Sequence, residues 1–343
     1  MMEKCLCTTM RYCCLVIALL CLFGQVTAQR LDSLEEMLNA DMEKRDAYDA
    51  KKYLKIEAKK ELALASNISR EQQFDYFLSI ADEFSKFSFD STLLYIEKSI
   101  EIARSLEDNT LLDQARLRMS ATLGNVGRSK EAEDILMEIS SENLGDNLYI
   151  EYSKIARKLY EDLSYYAMTE GNSAKYRQLY NQYKDTLLTL TPPDSEIHLS
   201  IMEKELLDQR KLDEALEINS KRLKKTALGA PSYSLIAFQR SLIFELKGDP
   251  EAQKEYLYLS AISDIRASIK DNASLAALAV IIFNENQIEK AYRFISFAFE
   301  DAVRYNSRLR FYEISKTMAL ITDSYQQITT QQKNSLQTNL YII

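Results

Sequence analysis

The chain has 343 residues, 46% of them apolar, with a net charge of −8. Seven glycines, four prolines, one histidine and no tryptophan argue against a turn-rich β fold and against a multi-histidine metal centre. The acidic balance makes nucleic acid and anionic lipid poor partners. Abundant Leu, Glu, Lys, Ala and Gln point instead to an all-α protein with enough apolar material for a sizeable core.

Residues 1–28 read as a leader to be set aside before fold reasoning. Lys4 and Arg11 precede an apolar run of 12 residues, Tyr12 to Phe23, and Val26-Thr-Ala28 has the small-residue pattern of a cleavage site. The run is shorter than the roughly 20 apolar residues a membrane helix needs. An uncleaved anchor and a lipoprotein signal ending at Cys21 are the alternatives, the latter opposed by the bulky Leu20. All five cysteines (5, 7, 13, 14 and 21) lie in this segment, so the mature chain holds no disulfide, thiolate metal site or cysteine nucleophile. A cysteine-free exported chain of this size suits a bacterial periplasm.

Residues 29–66 form the next unit. Leu31 to Leu64 contains neither glycine nor proline and is predicted helical with one break, Leu31, Leu34, Leu38 and Met42 marking a narrow apolar stripe. So narrow a stripe suits a helix that caps the fold or pairs with a partner helix.

From residue 67 to 305 the chain alternates between paired helices. Small residues open the second helix of each pair at Thr92, Ala132, Ala174, Ala215, Ala252 and Ala291, in steps of 40, 42, 41, 37 and 39. Periods in this range mean stacked supersecondary units. A small side chain lets two helices approach, and bulky residues four and seven positions later fill the groove. Ile96 with Ser99, Leu136 with Ile139, and Ile295 with Ala298 fit. Gln178 with Asn181 and Asn219 with Arg222 are polar there, so those two helices are expected to rotate relative to their neighbours.

The clearest hinge is Phe244 to Ala252: Gly248 supplies a helix C-terminus, Asp249 an N-cap, Pro250 the first helical position, and Ala252, Tyr256 and Leu259 the next apolar face. Arg210-Lys211-Leu212 and Asn286-Gln287-Ile288 make the same turn without glycine. Thr191-Pro192-Pro193-Asp194 and Leu228-Gly229-Ala230-Pro231 are breaks of inter-repeat length, Asp194 being placed to cap the next helix. Leu275 to Phe283, nine apolar residues, should be the most buried first helix. Residues 306–343 read as one long helix, increasingly Gln- and Thr-rich.

The turn-then-alanine openings Gly127–Ala132, Lys211–Ala215, Gly248–Ala252 and Gln287–Ala291 resemble the tetratricopeptide repeat (TPR) superfamily in degenerate form. That resemblance implies an α-solenoid of five to six antiparallel helix pairs between long N- and C-terminal helices. Leu31-Asp32-Ser33-Leu34, Leu38, Asp41, Arg45, Tyr48 and Lys51-Lys52 are similar to the opening of Bacteroidetes-type regulators with a periplasmic repeat array, a membrane helix and a cytoplasmic regulatory domain. That likeness implies a sensor module continuing past Ile343 into the membrane. A naturally short relative, or a capping helix with an apolar last turn, is the alternative.

No nucleophile elbow, zinc-protease, dinucleotide or P-loop motif occurs, and His198 stands alone between Ile197 and Leu199. No enzymatic activity, cofactor or metal is expected. Acidic pairs such as Glu35-Glu36 and Asp82-Glu83 suit solvated helix faces better than a carboxylate dyad. Tyrosines cluster at 160, 165 and 166, at 176, 180 and 183, and at 256 and 258. Packing between helices is the simpler role for them, gripping a peptide or sugar the functional one. The run Lys221–Lys225 suits a helix C-terminus better than an anion site. Asn67-Ile68-Ser69 and Asn272-Ala273-Ser274 match the glycosylation acceptor pattern, without weight in a bacterial protein. The expected function is a non-catalytic periplasmic binding or sensor module for a protein or peptide partner in the cell envelope, with self-association open to its long helices. A free periplasmic scaffold or a glycan-binding surface lipoprotein acylated at Cys21 is the rival.

Overall fold

A computed structural model describes residues 29–271 and 273–342. The leader read in residues 1–28, Asn272 of the second glycosylation pattern, and Ile343 lie outside the described residues. Those described are helical, without strand. A first helix spans 29–43 (α1), and α2 Arg45–Ala63 continues it past a turn at Lys44. Six antiparallel pairs come next: α3 Arg70–Phe84 with α4 Phe89–Ser105, α5 Asn109–Asn125 with α6 Ser129–Met137, α7 Asp146–Tyr166 with α8 Glu170–Leu190, α9 Glu196–Asp208 with α10 Leu212–Leu223, α11 Pro231–Lys247 with α12 Pro250–Arg266, and α13 Ala273–Asn284 with α14 Ile288–Tyr305. The last helix is α15 Arg308–Ile342.

The turns arise from backbone chemistry. Gly248 ends α11 at φ +70, Asp249 accepts the N–H of Ala252 at 3.0 Å, and Pro250 opens α12. Glu107, Arg210, Asn286 and Asn306 hold the same left-handed position without glycine. Each is locked by a hydrogen bond from the next amide to a carbonyl five residues earlier, as in Lys211 to Leu206 at 2.8 Å and Gln287 to Ile282 at 3.1 Å. The cap before α9 is Ser195, accepting from the His198 amide at 3.3 Å, rather than Asp194. Serine's hydroxyl reaches the third helical amide directly.

Crossing points repeat the sequence pattern, with instructive departures. Thr92, Ala132, Ala215 and Ala291 are buried, as are Ile96, Ser99, Leu136, Ile139, Ile295 and Ala298 in the grooves they open. Burial of each large aliphatic there is worth roughly 1.5–3 kcal/mol. On α8, however, Ala174 faces solvent. The small residue at that crossing is Ser173, whose hydroxyl donates to the Ser164 carbonyl at 3.1 Å. The inward ladder is then Tyr176, Tyr180, Tyr183 and Leu187, so this helix is turned by one residue.

On α10 the expected rotation does not occur. Asn219 and Arg222 point inward at 0% and 1% exposure, where the other pairs place apolar residues. Arg222 donates to Glu203 at 2.6 Å, Glu196 at 2.6 Å and Gln239 at 2.8 Å, while Asn219 donates to Glu203 and to the Ile236 carbonyl, both at 3.0 Å. Facing carboxylates supply what a lipid-like groove would not, so polarity replaces rotation. The ladder Ala252, Tyr256, Leu259 is only half-buried. α12 is central, and its buried residues are Leu257, Tyr258 and Ser260 to Ile265. Leu246, in the last turn of α11, is 40% exposed. α13 has no exposed residue from 273 to 283, as its apolar run requires.

The ends of the array meet. The Lys270 amide donates to the Lys86 carbonyl at 2.8 Å, the Tyr305 hydroxyl donates to the Ser85 carbonyl at 2.8 Å, and Asn306 donates to Asp90 at 3.4 Å. The helix expected as an N-terminal cap spans this junction. Ile56 and Ala63 of α2 pack into the core of the first pair, whereas Leu34 and Leu38 of α1 pack with Leu257, Phe294, Ile314 and Ile321 of the last helices.

Candidate binding surface

A small, mostly apolar cleft lies between the first helices of the second and third pairs. It encloses about 180 Å³ and is lined by Ser120, Ala121, Gly124 and Asn125 of α5 and by Glu151, Lys154, Ile155, Lys158, Leu159 and Asp162 of α7. α5 narrows at Ala121 and Gly124, leaving room against the longer side chains of α7. Ile155 and Leu159, on one face of α7 by their spacing of four, make its apolar floor. Charges rim it. Arg118 bridges Asp82 of α3 at 3.1 Å and Glu151 at 3.0 Å, Lys154 pairs with Glu151 at 2.7 Å, and Lys158 with Asp162 at 3.1 Å. Such an arrangement can hold an apolar side chain while exchanging its exposed ion pairs for those of a ligand, each pair being worth roughly 0–1 kcal/mol.

Most of the clustered tyrosines pack between helices. Tyr160 stacks on Tyr176 and Tyr183 with centroids 6.0 and 5.9 Å apart, and Tyr152 meets Tyr183 edge-on at 5.7 Å. Burial pushes the Tyr160 hydroxyl up to about 12 and raises Tyr152 further, so neither ionises at neutral pH. Tyr256 stacks on Phe244 at 5.5 Å, and the Arg240 guanidinium lies 4.7 Å over its ring. Tyr165, Tyr166 and the neighbouring Met168 are exposed at the tip between α7 and α8, Met168 at 99%.

The remaining sequence candidates resolve into structural roles. Glu83 takes ion pairs from Lys55 and Lys59, both at 2.7 Å, and Asp82 from Arg118, so this acidic pair is neutralised by neighbouring helices. Glu35 pairs with Lys290 at 2.6 Å. In the basic run, Arg222 is internal and Lys225 donates to the Asp194 carbonyl at 2.7 Å. His198 is half-buried on α9, its ring Nδ1 without a hydrogen-bond partner. Among the described residues no group of three or more His, Cys, Asp or Glu side chains is placed to hold a metal ion. Nor is any helix there long and apolar enough to cross a membrane.

Sequence reasoning missed a seam of buried charge under α1 and α2. Lys270, 3% exposed, lies 2.7 Å from Asp49 and 3.4 Å from Asp301, and Arg45 reaches Glu300 at 3.1 Å and Asp301 at 3.7 Å. Arg266 pairs with Asp41 at 2.9 Å and Arg30 with Glu255 at 2.6 Å. Burial raises the Asp301 carboxyl to about 6 despite Lys270 and Arg45. Asp264 nearby, buried with the Ser234 hydroxyl donating to it at 2.5 Å, is pushed up to about 7 by burial.

No curated protein matches the chain. Among solved structures, the "TPR2AB-domain:pHSP90-complex of yeast Sti1" is similar at 13% identity, over 84% of this chain and 99% of that one, with a TM-score of 0.30. The family model described as "SusR N-terminal TPR domain" matches residues 42–316, which takes in α2 to α14 and the start of α15. The chain therefore belongs to the family of SusR N-terminal TPR domains, an all-α solenoid of the tetratricopeptide type.

Proposed function

We propose that this chain is the extracytoplasmic, non-catalytic sensor module of a membrane-anchored regulator, and that the cleft between α5 and α7 takes a side chain of a protein or peptide partner in the cell envelope. The observation that carries this reading is the match of residues 42–316 to a domain family defined as the N-terminal part of the regulator SusR. The leader pattern in residues 1–28 and the confinement of every cysteine to it support export. The apolar floor and exchangeable ion pairs of the cleft support recognition of a side chain rather than chemistry upon it.

The confinement of cysteine makes a direct test simple. Cysteine is introduced at the exposed Met168 in the native gene, and cells with a permeabilised outer membrane are treated with a membrane-impermeant maleimide. Labelling of intact cells, with a mature N-terminus at Gln29, is the expected result. Labelling only after lysis refutes the export reading, and retention of Met1 in a labelled protein replaces the cleaved leader by the uncleaved anchor. In the same cells, Lys154→Ala with Lys158→Ala should weaken the regulator's transcriptional response while leaving the protein's abundance unchanged.

A further inference from the structure

In a helical-repeat array each unit ordinarily touches only its neighbours, so curvature is free to vary. Here the first pair touches the last, and one helix, interrupted at Lys44, lies across the junction. We propose that α1–α2 is a releasable strap, and that its release opens the array and loosens the docking of α15 in one movement. This inference rests on the packing of the array and not on the export or regulatory reading.

Three observations carry it. The strap is held at two separate places: α2 buries Ile56 and Ala63 in the core of the first pair, and α1 buries Leu34 and Leu38 in the core of the last helices. Leu31, Met37 and Met42 are half-buried against the same cluster, and ion pairs add to the grip through Arg30, Glu35, Asp41, Arg45 and, just beyond the break, Asp49. The exposed pairs, Arg30 with Glu255 and Arg45 with Glu300, add little strength, and the buried ones at Asp41, Asp49 and Asp301 set register more than they add net strength, because each charge surrenders its hydration. Within this seam Asp49 Oδ1 and Asp301 Oδ1 have no hydrogen-bond partner, and Lys270 serves both carboxylates. A contact of this kind fixes one arrangement and yields readily.

The second observation is that α15 sits on the same support. Ile314 and Ile321 share an apolar cluster with Leu34 and Leu38 around α12, α13 and α14. Between α1 and α15 lies an open cleft of about 570 Å³, reached by Met42 from one side and by Tyr325, Thr329 and Gln332 from the other. The two helices thus flank α14 without closing on each other. The third is that the turn leading into α15 is itself part of the closure, since Tyr305 and Asn306 hold Ser85 and Asp90 of the first pair. Arg310 then ties α15 to Asp271 at 2.5 Å, next to the Lys270 amide that bonds Lys86. Parting the first and last pairs therefore breaks the contacts that aim α15.

Hydrogen exchange on the whole mature chain tests the coupling. Arg45→Glu sets a carboxylate against Glu300 and Asp301. The expected result is at least tenfold faster exchange at the Lys270 amide and through residues 311–325 of α15, with residues 152–160 of α7 unchanged. Arg45→Lys should stay within twofold of the parent. In a second protein, Glu35→Cys and Lys290→Cys are joined by a short bis-maleimide, and α15 should then exchange more slowly. If the charge reversal speeds α7 equally, the joined protein decides: slowed α15 upholds the strap, and unchanged α15 overturns it. Acceleration confined to α1, with α15 at the parental rate in both proteins, also overturns it.

Discussion

Arg222 offers the sharpest test of how this array is held together. Its side chain is 1% exposed and bonded to Glu203, Glu196 and Gln239, and the Glu203 side chain is itself 4% exposed. Replacing Arg222 by Met keeps the volume but leaves the Glu203 carboxylate buried with only the Asn219 amide. Breaking one partner of a buried pair costs about 3–5 kcal/mol, because the orphaned charge keeps its desolvation penalty. Replacing both Arg222 and Glu203 by Met removes that penalty and should recover at least half of the loss. Burial already raises the Glu203 carboxyl above its usual range. Without Arg222 it rises further, so the deficit is fully present at pH 8 and shrinks as pH falls to 5 and the group takes up a proton. Urea unfolding followed by helical circular dichroism at both pH values measures each quantity. A loss below about 1 kcal/mol for Arg222→Met, or a double variant no more stable than the single, would refute the reasoning.

Two further expectations come from burial. Ala132→Leu overfills a crossing where the Ser120 hydroxyl already donates to the Ala132 carbonyl at 2.8 Å, and should cost about 1–3 kcal/mol or more, whereas Ala174→Leu on exposed α8 should stay within about 0.5 kcal/mol; equal thermal shifts would show that helix crossings do not depend on these small residues. Asp264, raised from the ordinary carboxyl range to about 7, binds its proton more tightly folded than unfolded, so its contribution is intact below about pH 4 and is lost as pH rises through 7, roughly 4 kcal/mol in all. Asp264→Asn should flatten the fall in urea midpoint between pH 5 and 8, and an unchanged slope would sink the assignment.

Much of the architecture was legible because the code for it is local. The scarcity of glycine and proline, the recurring small residue, and the cap chemistry of Gly248, Asp249 and Pro250 each act within a turn or two of the chain, and the structure places helices where they predict. The hinges at Arg210 and Asn286 were readable for the same reason, since a left-handed helix end is a backbone event that neighbouring spacing betrays. Even the departure at α8 is local in origin: Ser173 is as small as Ala174 and can exchange hydrogen bonds with Ser164, so it takes the crossing. Misreading α10 shows the limit. Polar residues at inward positions look like a misfit until the facing carboxylates of α9 are known.

By itself, then, the amino-acid order determined helix, period, turn and the absence of cysteine after residue 21, since these depend on side chains a few positions apart. Tertiary structure alone decided that the first pair meets the last, that Lys270 lies between Asp49 and Asp301, and that α1 rests where α15 also rests. Most of those contacts, such as Lys270 with Asp49 and Tyr305 with Ser85, join residues more than two hundred positions apart, and their partners are chosen by accumulated curvature over six helix pairs. Each small crossing angle along the way contributes to where the ends arrive, and no spacing within one repeat records the sum.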